Sequence, residues 1–224
     1  MIINNKNIDV SSEGEVLQST KTELDVDNIG FIINMLSKFY SDGVGSTIRE
    51  WVSNSLDSHV EAGVNKPIIV KLFPEGESWW LSVQDFGVGV NQETIDNIFS
   101  KYGKSTKRHS NDFLGAMGLG LKSGLSYSSY FIIDGVKNGI SGKWIFREDE
   151  SGSTIDLLYN NIPTNEENGA TFKIPVLLKD KSTFSYKLRE QLCYFKNIYV
   201  EDHYIAFDND FLIYESQLFK HSSI

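Results

Sequence analysis

One glycine-rich stretch organises this sequence: residues 110–123 read SNDFLGAMGLGLKS. Gly115, Gly118 and Gly120 lack side chains, so the backbone N–H groups of this turn can approach a ligand closely. The residues that follow are typical of a helix, whose N-terminal partial positive charge would also attract an anion. The stretch therefore predicts a phosphate-binding turn, although a tight approach of a helix to a strand would require the same glycines.

Two helices are predicted upstream of this turn. From Asp27, apolar residues at helical spacing predict a first helix that ends near Tyr40. Ser46 or Thr47 can cap a second helix that ends at Gly63. The apolar face of this second helix is predicted to consist of Ile48, Trp51, Val52, Leu56 and Val60.

The opposite stripe of the second helix carries Glu50, Asn54 and Asp57. Side chains at this spacing point in one direction from a helix, so they can face a common object. A solvated polar face would explain the same pattern. If the stripe serves a site, Glu50 is a carboxylate that can accept a proton from water, and Asn54 is an uncharged oxygen ligand that suits Mg²⁺.

Strands dominate the rest of the sequence. Residues 67–73 and 78–84 predict a β-hairpin that delivers Asp85 to a strand end, and a short helix is predicted from Gln92 to Phe99. Later apolar segments predict one mostly antiparallel sheet. They are four strands at residues 130–136, 143–147, 154–159 and 171–178, a helix at 182–195, and two short strands within 198–215.

The predicted end of the hairpin is followed by two glycines, Gly87 and Gly89. Asp and Gly are common in ordinary turns, so a turn would explain them. A carboxylate at the mouth of a sheet can also accept an N–H donor from a purine, and the glycines would let a flat ring lie against the backbone.

Four basic residues precede the glycine-rich stretch in a chain that is acidic overall: Lys101, Lys104, Lys107 and Arg108. A solvated loop would explain this cluster. Its position directly before the predicted phosphate turn favours a mobile lid over a triphosphate, because the closed lid would bring cations to the phosphates.

The composition limits the classes of partner. A chain of 224 residues with 40% hydrophobic residues is long enough for one main domain. The net charge of −9 argues against a general nucleic-acid or anionic-membrane surface. Cys193 is the only cysteine, which suits a reducing cytosol. No apolar run approaches the roughly 18 residues that a membrane span needs, so we expect a cytoplasmic protein without such a span.

The order and spacing of these segments resemble the N, G1 and G2 boxes of the GHKL ATPases, which include gyrase B subunits, large heat-shock chaperones and histidine kinases. The boxes appear here as Glu-x-x-x-Asn-x-x-Asp, Asp-x-Gly-x-Gly and Gly-x-x-Gly-x-Gly. Within that superfamily, residues 48–59 and 110–127 look most like the A-type rapid-lysis protector proteins of T-even phages. The resemblance runs from about Val26 to Val200.

The resemblance implies a two-layer α/β (α+β) sandwich of the Bergerat type, with helices on one face of a mixed, mainly antiparallel sheet. It implies ATP and Mg²⁺ as ligands, with Glu50 as the general base, Asn54 as the Mg²⁺ ligand and Asp57 as a water-mediated pocket residue. Asp85 would read the adenine amino group, and Gly87 and Gly89 would flank the base. The phosphate-binding group would comprise Lys104 of the lid, Gly115, Gly118, Leu119, Gly120 and Lys122.

The sequence departs from the family pattern at two positions near Asp85. Ser58 stands where the family usually has Ala, and the late Gly-Thr box reads Gly169-Ala170-Thr171. The hydroxyl that would support Asp85 is therefore either displaced to Thr171, which is then a candidate nucleotide contact, or missing.

The resemblance also divides the chain into an N-terminal strap (1–25), an ATP-binding domain (26–200) and the start of a following domain or a C-terminal extension (201–224). In efficient GHKL ATPases a following domain often supplies a lysine to the γ-phosphate. The expectation is either a fragment of a longer protein or a domain that binds ATP more than it turns it over.

The leading functional hypothesis is a slow ATPase whose nucleotide state closes the lid and drives homodimerisation. The alternative is a non-hydrolysing, ATP-regulated interaction protein that counters host or prophage defence through an unknown host or phage partner. Either would act in the host cytoplasm or peripherally at the inner membrane. A histidine-kinase catalytic domain is disfavoured, because no His-bearing dimerisation helix is visible.

Overall fold

A computed structural model of the chain describes residues 42–99, 120–149 and 152–203. Several predicted features lie outside these residues. They are the strap at 1–25, the first helix that ends near Tyr40, the basic residues 101–108, the glycine-rich stretch before Gly120, and the later part of segment 198–215.

Helix α1 spans Gly43–Ala62. Its N-cap is Asp42, whose Oδ1 accepts a hydrogen bond from the backbone N–H of Gly45 at 2.9 Å. Its C-cap is Gly63 in the left-handed conformation, as predicted. The prediction of Ser46 or Thr47 as the N-cap is wrong, because the cap at Asp42 starts the helix earlier and both residues lie inside it.

The buried stripe of α1 differs from the predicted apolar face near the C-terminal end. Ile48, Trp51 and Val52 are fully buried, as expected, but Val60 is 81% exposed. His59 is buried in its place. The helical period of 3.6 residues explains the exchange, because the stripe that starts at Ile48 passes through His59 rather than Val60 in the last turn.

One seven-stranded sheet forms the second layer of the described part of the chain. Its strand order is β5-β4-β3-β6-β2-β1-β7. Every neighbouring pair is antiparallel except β1 and β7, which are parallel. The strands are β1 Ile68–Glu75, β2 Ser78–Asp85, β3 Tyr130–Lys137, β4 Ile140–Asp149, β5 Gly152–Pro163, β6 Gly169–Val176 and β7 Ile198–Asp202.

The remaining helical segments are short, apart from one. Helix α2, Gln92–Thr94, continues as a π-helical turn, Ile95–Phe99. The predicted helix after the glycine-rich stretch is a 3₁₀ helix, Gly120–Ser126, rather than an α-helix, and its glycines disfavour longer helical structure. A 3₁₀ turn, Leu178–Asp180, leads into α3, Lys181–Leu192.

The core lies between the helices and one face of the sheet. The Trp51 ring of α1 packs against Phe131 of β3 and Phe172 of β6, with centroid distances of 5.3 and 5.6 Å. From α3, the buried Ser185 hydroxyl donates to the buried Asp202 carboxylate of β7. The two long helices therefore cover the same face, which confirms the predicted α+β architecture. Of the helices described, none is both long and apolar enough to cross a membrane.

We predict that Asp42→Ala destabilises the protein by about 1 kcal/mol, because the backbone N–H of Gly45 loses its acceptor. Asp42→Asn should cost much less, since Asn caps helices as well as Asp does. Urea denaturation would measure both changes. Lys187 forms an ion pair with Asp42 at 2.7 Å. If the Asn variant lost as much stability as the Ala variant, the ion pair rather than the cap would be the stabilising contact.

Candidate functional site

The polar stripe of α1 faces three different environments. Glu50 is buried, with 7% of its surface exposed. Asn54 is half-buried and Asp57 is exposed. A solvated polar face therefore describes Asp57 but not Glu50, whose charge lies within the protein and beside the guanidinium of Arg49 at 3.9 Å.

Gly120, the last glycine of the predicted phosphate turn, lies directly against this stripe. A Cβ atom at Gly120 would be 2.6 Å from Oε2 of Glu50 and 3.6 Å from Nδ2 of Asn54. Real Cβ atoms essentially never come as close as the first of these distances, so the absence of a side chain allows the contact. The structure thus brings together one residue of the glycine-rich stretch and two residues of the helix.

Two buried hydrogen bonds hold the 3₁₀ helix to α1. The indole Nε1 of Trp51 donates to the carbonyl of Leu121 at 2.9 Å. The Thr47 hydroxyl lies 3.0 Å from the carbonyl of Ser123 and 2.8 Å from that of Gly43. These contacts set the position of Gly120 relative to Glu50, because they anchor the segment that begins at Gly120.

Lys122 is buried within the same segment, with 7% of its surface exposed. Burial lowers the pKa of its ammonium group to about 7, because the charged form loses its hydration. An anionic ligand would favour the charged form again. The other residues predicted to bind phosphates, namely Lys104, Gly115, Gly118 and Leu119, lie outside the described residues.

Asp85 is the last residue of β2, and only 4% of its surface is exposed. Its Oδ1 accepts a hydrogen bond from the backbone N–H of Gly87 at 2.9 Å and a longer one from the Ser58 hydroxyl at 3.4 Å. Burial raises the pKa of the carboxyl to about 6, and these donors offset part of the effect. The buried Ser55 hydroxyl is also nearby, but it is outside hydrogen-bond geometry.

The strand register decides which residue of β6 lies beside Asp85. Asp85 pairs with Ala170, whereas Thr171 pairs with Gln84. Because successive side chains of a strand point to opposite faces, Asp85 and Ala170 share the buried face of the sheet and Thr171 lies on the other. The register gives no support to Thr171 as a nucleotide contact, which stays a prediction.

Gly87 and Gly89 allow close packing within the protein. A Cβ atom at Gly87 would overlap the hydroxyl and lie 2.5 Å from the backbone carbon of Ser58. Gly89 has a positive φ of 77°, and its Cβ would overlap the carbonyl oxygen of Val136. These glycines hold the turn after β2 against α1 and β3, and their contact with a base stays a prediction.

His59 also fixes this turn, although its role was not predicted from the sequence. Its Nε2 accepts a hydrogen bond from the backbone N–H of Phe86 at 2.7 Å. Burial lowers the pKa of the imidazole, and the backbone of Lys66 partly opposes that change. The neutral ring therefore acts as an acceptor. The spacing of His59 from Ile48 and Val52 on the helix could have indicated that its side chain is buried.

The site offers few ligands for a metal ion. In the parts of the chain that the structure describes, no group of three or more His, Cys, Asp or Glu residues could hold a metal. The Asn54 side chain lies beside Gly120, with its Nδ2 nearest to that residue. The oxygen of the same amide is a hard donor of the kind that Mg²⁺ accepts while retaining several waters. The donor set therefore fits a Mg²⁺ ion that a phosphate ligand helps to hold.

Comparison with known proteins identifies related sequences. A family model described as "Histidine kinase-, DNA gyrase B-, and HSP90-like ATPase" matches residues 43–173. The B subunit of type 2 DNA topoisomerase 6 from Natronomonas pharaonis is 28% identical over 137 residues, which are 58% of this chain and 16% of that protein. The corresponding protein of Sulfurisphaera tokodaii is 26% identical over 185 residues, or 75% of this chain and 34% of that protein.

A shorter match has higher identity. The B subunit of the same type of topoisomerase from Pyrobaculum aerophilum is 36% identical over 85 residues, which are 37% of this chain and 16% of that protein. In these three relatives the match spans about a third of the protein's length at most. The similarity thus concerns one region of much longer proteins.

We predict that Asp85→Asn stabilises the ligand-free protein at pH 7.5 by roughly 1–3 kcal/mol, because it removes a buried charge whose pKa is raised to about 6. Below about pH 3 the carboxyl is protonated in both the folded and the unfolded chain, so it costs nothing there. Between about pH 4 and 6 the unfolded chain loses this proton while the folded chain keeps it, so stability falls as the pH rises and levels off above about pH 6. The advantage of the Asn variant should therefore be roughly halved at pH 5.

Urea denaturation of both proteins at several pH values would measure this difference. His59 contributes a pH dependence of the opposite sign, since burial lowers its pKa. Its contribution is common to both proteins and cancels in the difference. A loss of stability in Asp85→Asn at pH 7.5 would mean that the carboxylate holds the fold together.

Proposed function

Because this chain belongs to the family of histidine kinase-, DNA gyrase B- and HSP90-like ATPases, we propose that it binds ATP with Mg²⁺ and hydrolyses the ATP slowly. The observation that carries this proposal is the contact of Gly120 with Glu50 and Asn54. It joins the end of a glycine-rich stretch, which suits phosphates, to a carboxylate and an amide, which suit water activation and metal binding.

In this proposal Glu50 is the general base. Its carboxylate is mostly buried and lies beside Gly120, where the attacking water would need to be oriented toward a phosphate. Glu50 takes the proton of the water as the oxygen attacks the γ-phosphorus, and ADP leaves with the bridging oxygen. Asn54 would hold Mg²⁺, which supplies charge neutralisation to the phosphates when it is bound.

Lys122 is a described cation within the glycine-rich stretch itself. It lies two residues after Gly120, and burial lowers its pKa to about 7. A buried ammonium that lacks full hydration interacts strongly with phosphate oxygens, because the local dielectric constant is low. Lys122 therefore supports the binding of a polyanionic ligand in a chain whose net charge is −9.

Asp85 is proposed to read the base. Its carboxyl is almost completely buried, and a carboxylate can accept a hydrogen bond from the exocyclic amino group of adenine. Asp57 is exposed, so it would act through water. Guanine carries an acceptor oxygen where adenine carries its exocyclic amino group, so the Asp85 carboxylate would have no donor from guanine.

The sequence resemblance is the basis for proposing what ATP binding causes. The slow ATPase would form a homodimer when it binds ATP, and the similarity to phage lysis protectors suggests a role against host or prophage defence. The second candidate is an interaction protein that binds ATP without turnover. We propose no DNA activity, because the match covers a small part of the topoisomerase proteins and the chain is acidic.

We predict that Glu50→Gln leaves ATP affinity nearly unchanged and lowers turnover about 10²- to 10⁴-fold, as expected when a general base is lost. Glutamine keeps the size of the side chain beside Gly120. Phosphate release and isothermal calorimetry would measure the two quantities.

The matched control is Glu61→Gln, which changes an exposed carboxylate on the same helix. It should behave like the wild type in both assays. If wild-type turnover did not exceed the Glu50→Gln background while both proteins bound ATP, the ATPase proposal would fail and the binding protein would replace it.

We predict that the wild type binds ATP more tightly than GTP by about 5- to 100-fold, the range expected when a buried carboxylate is left unpaired. Asp85→Asn should weaken ATP binding and reduce this preference. Calorimetry with non-hydrolysable analogues in the presence of Mg²⁺ would measure it. Equal affinities of the wild type for both nucleotides would contradict the role of Asp85.

A further inference from the structure

Ser58 contacts three residues of the candidate nucleobase site, which is the segment 85–88. It accepts a hydrogen bond from the backbone N–H of Val88 at 3.0 Å and donates one to Oδ1 of Asp85 at 3.4 Å. The backbone of Ser58 also occupies the space that a side chain at Gly87 would need. One residue of α1 is therefore in contact with the start, the middle and the end of the segment 85–88.

The neighbouring strand cannot provide this hydroxyl. Ala170 is the residue of β6 directly opposite Asp85, and its side chain ends at a methyl group. Thr171, the nearest hydroxyl along β6, lies on the other face of the sheet. The backbones of Gly87 and Ala170 also donate to Asp85, but neither residue belongs to α1 and neither can tie the carboxylate to that helix.

We infer that Ser58 is the positioning residue for the Asp85 carboxylate, which is proposed to recognise the purine base. Ser58 would then have the role that the sequence resemblance assigns to a hydroxyl on β6. This inference rests on the proposed function, since it concerns how that site reads a purine. A hydroxyl can donate and accept at the same time, so Ser58 holds the carboxylate and the turn together. Alanine at this position would remove both contacts.

The effect on selectivity follows from the geometry. Base reading requires the carboxylate to present an oxygen in a fixed direction, because hydrogen bonds weaken steeply when they are misaligned. Without the Ser58 hydroxyl, the turn stays tied to α1 by the hydrogen bond from Phe86 to His59, and Asp85 keeps its backbone donors. The carboxylate itself loses its hydrogen bond from α1. A carboxylate that can reorient discriminates less between an amino group and a carbonyl oxygen.

The test compares Ser58→Ala with the wild type by calorimetry with ATP and GTP analogues and Mg²⁺. Ser58→Ala should bind ATP about 3- to 10-fold more weakly, which corresponds to the loss of one long hydrogen bond. The ratio of ATP to GTP affinity should move toward one. Carbon-13 NMR of the Asp85 carboxyl in the nucleotide-free protein should show a higher pKa, since a donor to the ionised form is lost.

A second variant separates positioning from general stability. Ala170→Ser in the Ser58→Ala background returns a hydroxyl from the opposite side of Asp85 and should recover part of the lost affinity and selectivity. Ser53→Ala, which changes a half-buried serine on the same helix, is the matched control and should bind both nucleotides as the wild type does.

The outcomes distinguish this inference from the proposed function. If the wild type bound no ATP, the proposed function would fail and the role of Ser58 would fail with it. If the wild type bound ATP but Ser58→Ala changed only the melting temperature, with the same selectivity and the same Asp85 titration, Ser58 would be structural and only this inference would fall.

Discussion

The side chain of Trp51 joins the parts of the molecule on which the site depends. Its ring is fully buried against Phe131 and Phe172 of the sheet, and its indole N–H binds the carbonyl of Leu121. The same residue therefore sets the distance of α1 from the sheet and the position of the 3₁₀ helix beside α1. Because Glu50 precedes Trp51 on the helix, its contact with Gly120 follows from this packing.

Two buried ionisable groups show where the fold tolerates unfavourable charge. Burial raises the pKa of Asp85 to about 6 and lowers that of Lys122 to about 7, so each group is pushed toward its neutral form. Burying a charge without full compensation costs stability. Groups of this kind concentrate at functional sites. Their burial therefore agrees with the nucleotide site that we propose.

The sequence predicted features that depend on local spacing. The hairpin, the end of α1 at Gly63 and the common direction of Glu50 and Asn54 all follow from short-range patterns. It did not predict contacts that depend on pairing between distant segments, such as Ala170 opposite Asp85 or Ser58 against Gly87. The cap at Asp42 was missed for a related reason, because glycines at the start of α1 resemble a break when the neighbouring elements are not known.

The parallel pairing of β7 with β1 has a consequence for how the chain folds. It joins the last described strand to the first, so the paired residues Ile68 and Ile198 come from opposite ends of the described sequence. Contacts between residues that are distant in sequence carry a large loop-closure entropy and slow the search for the native topology. We therefore expect the β1–β2 hairpin to form early and the β7 edge to form late, with the Ser185–Asp202 hydrogen bond closing the domain.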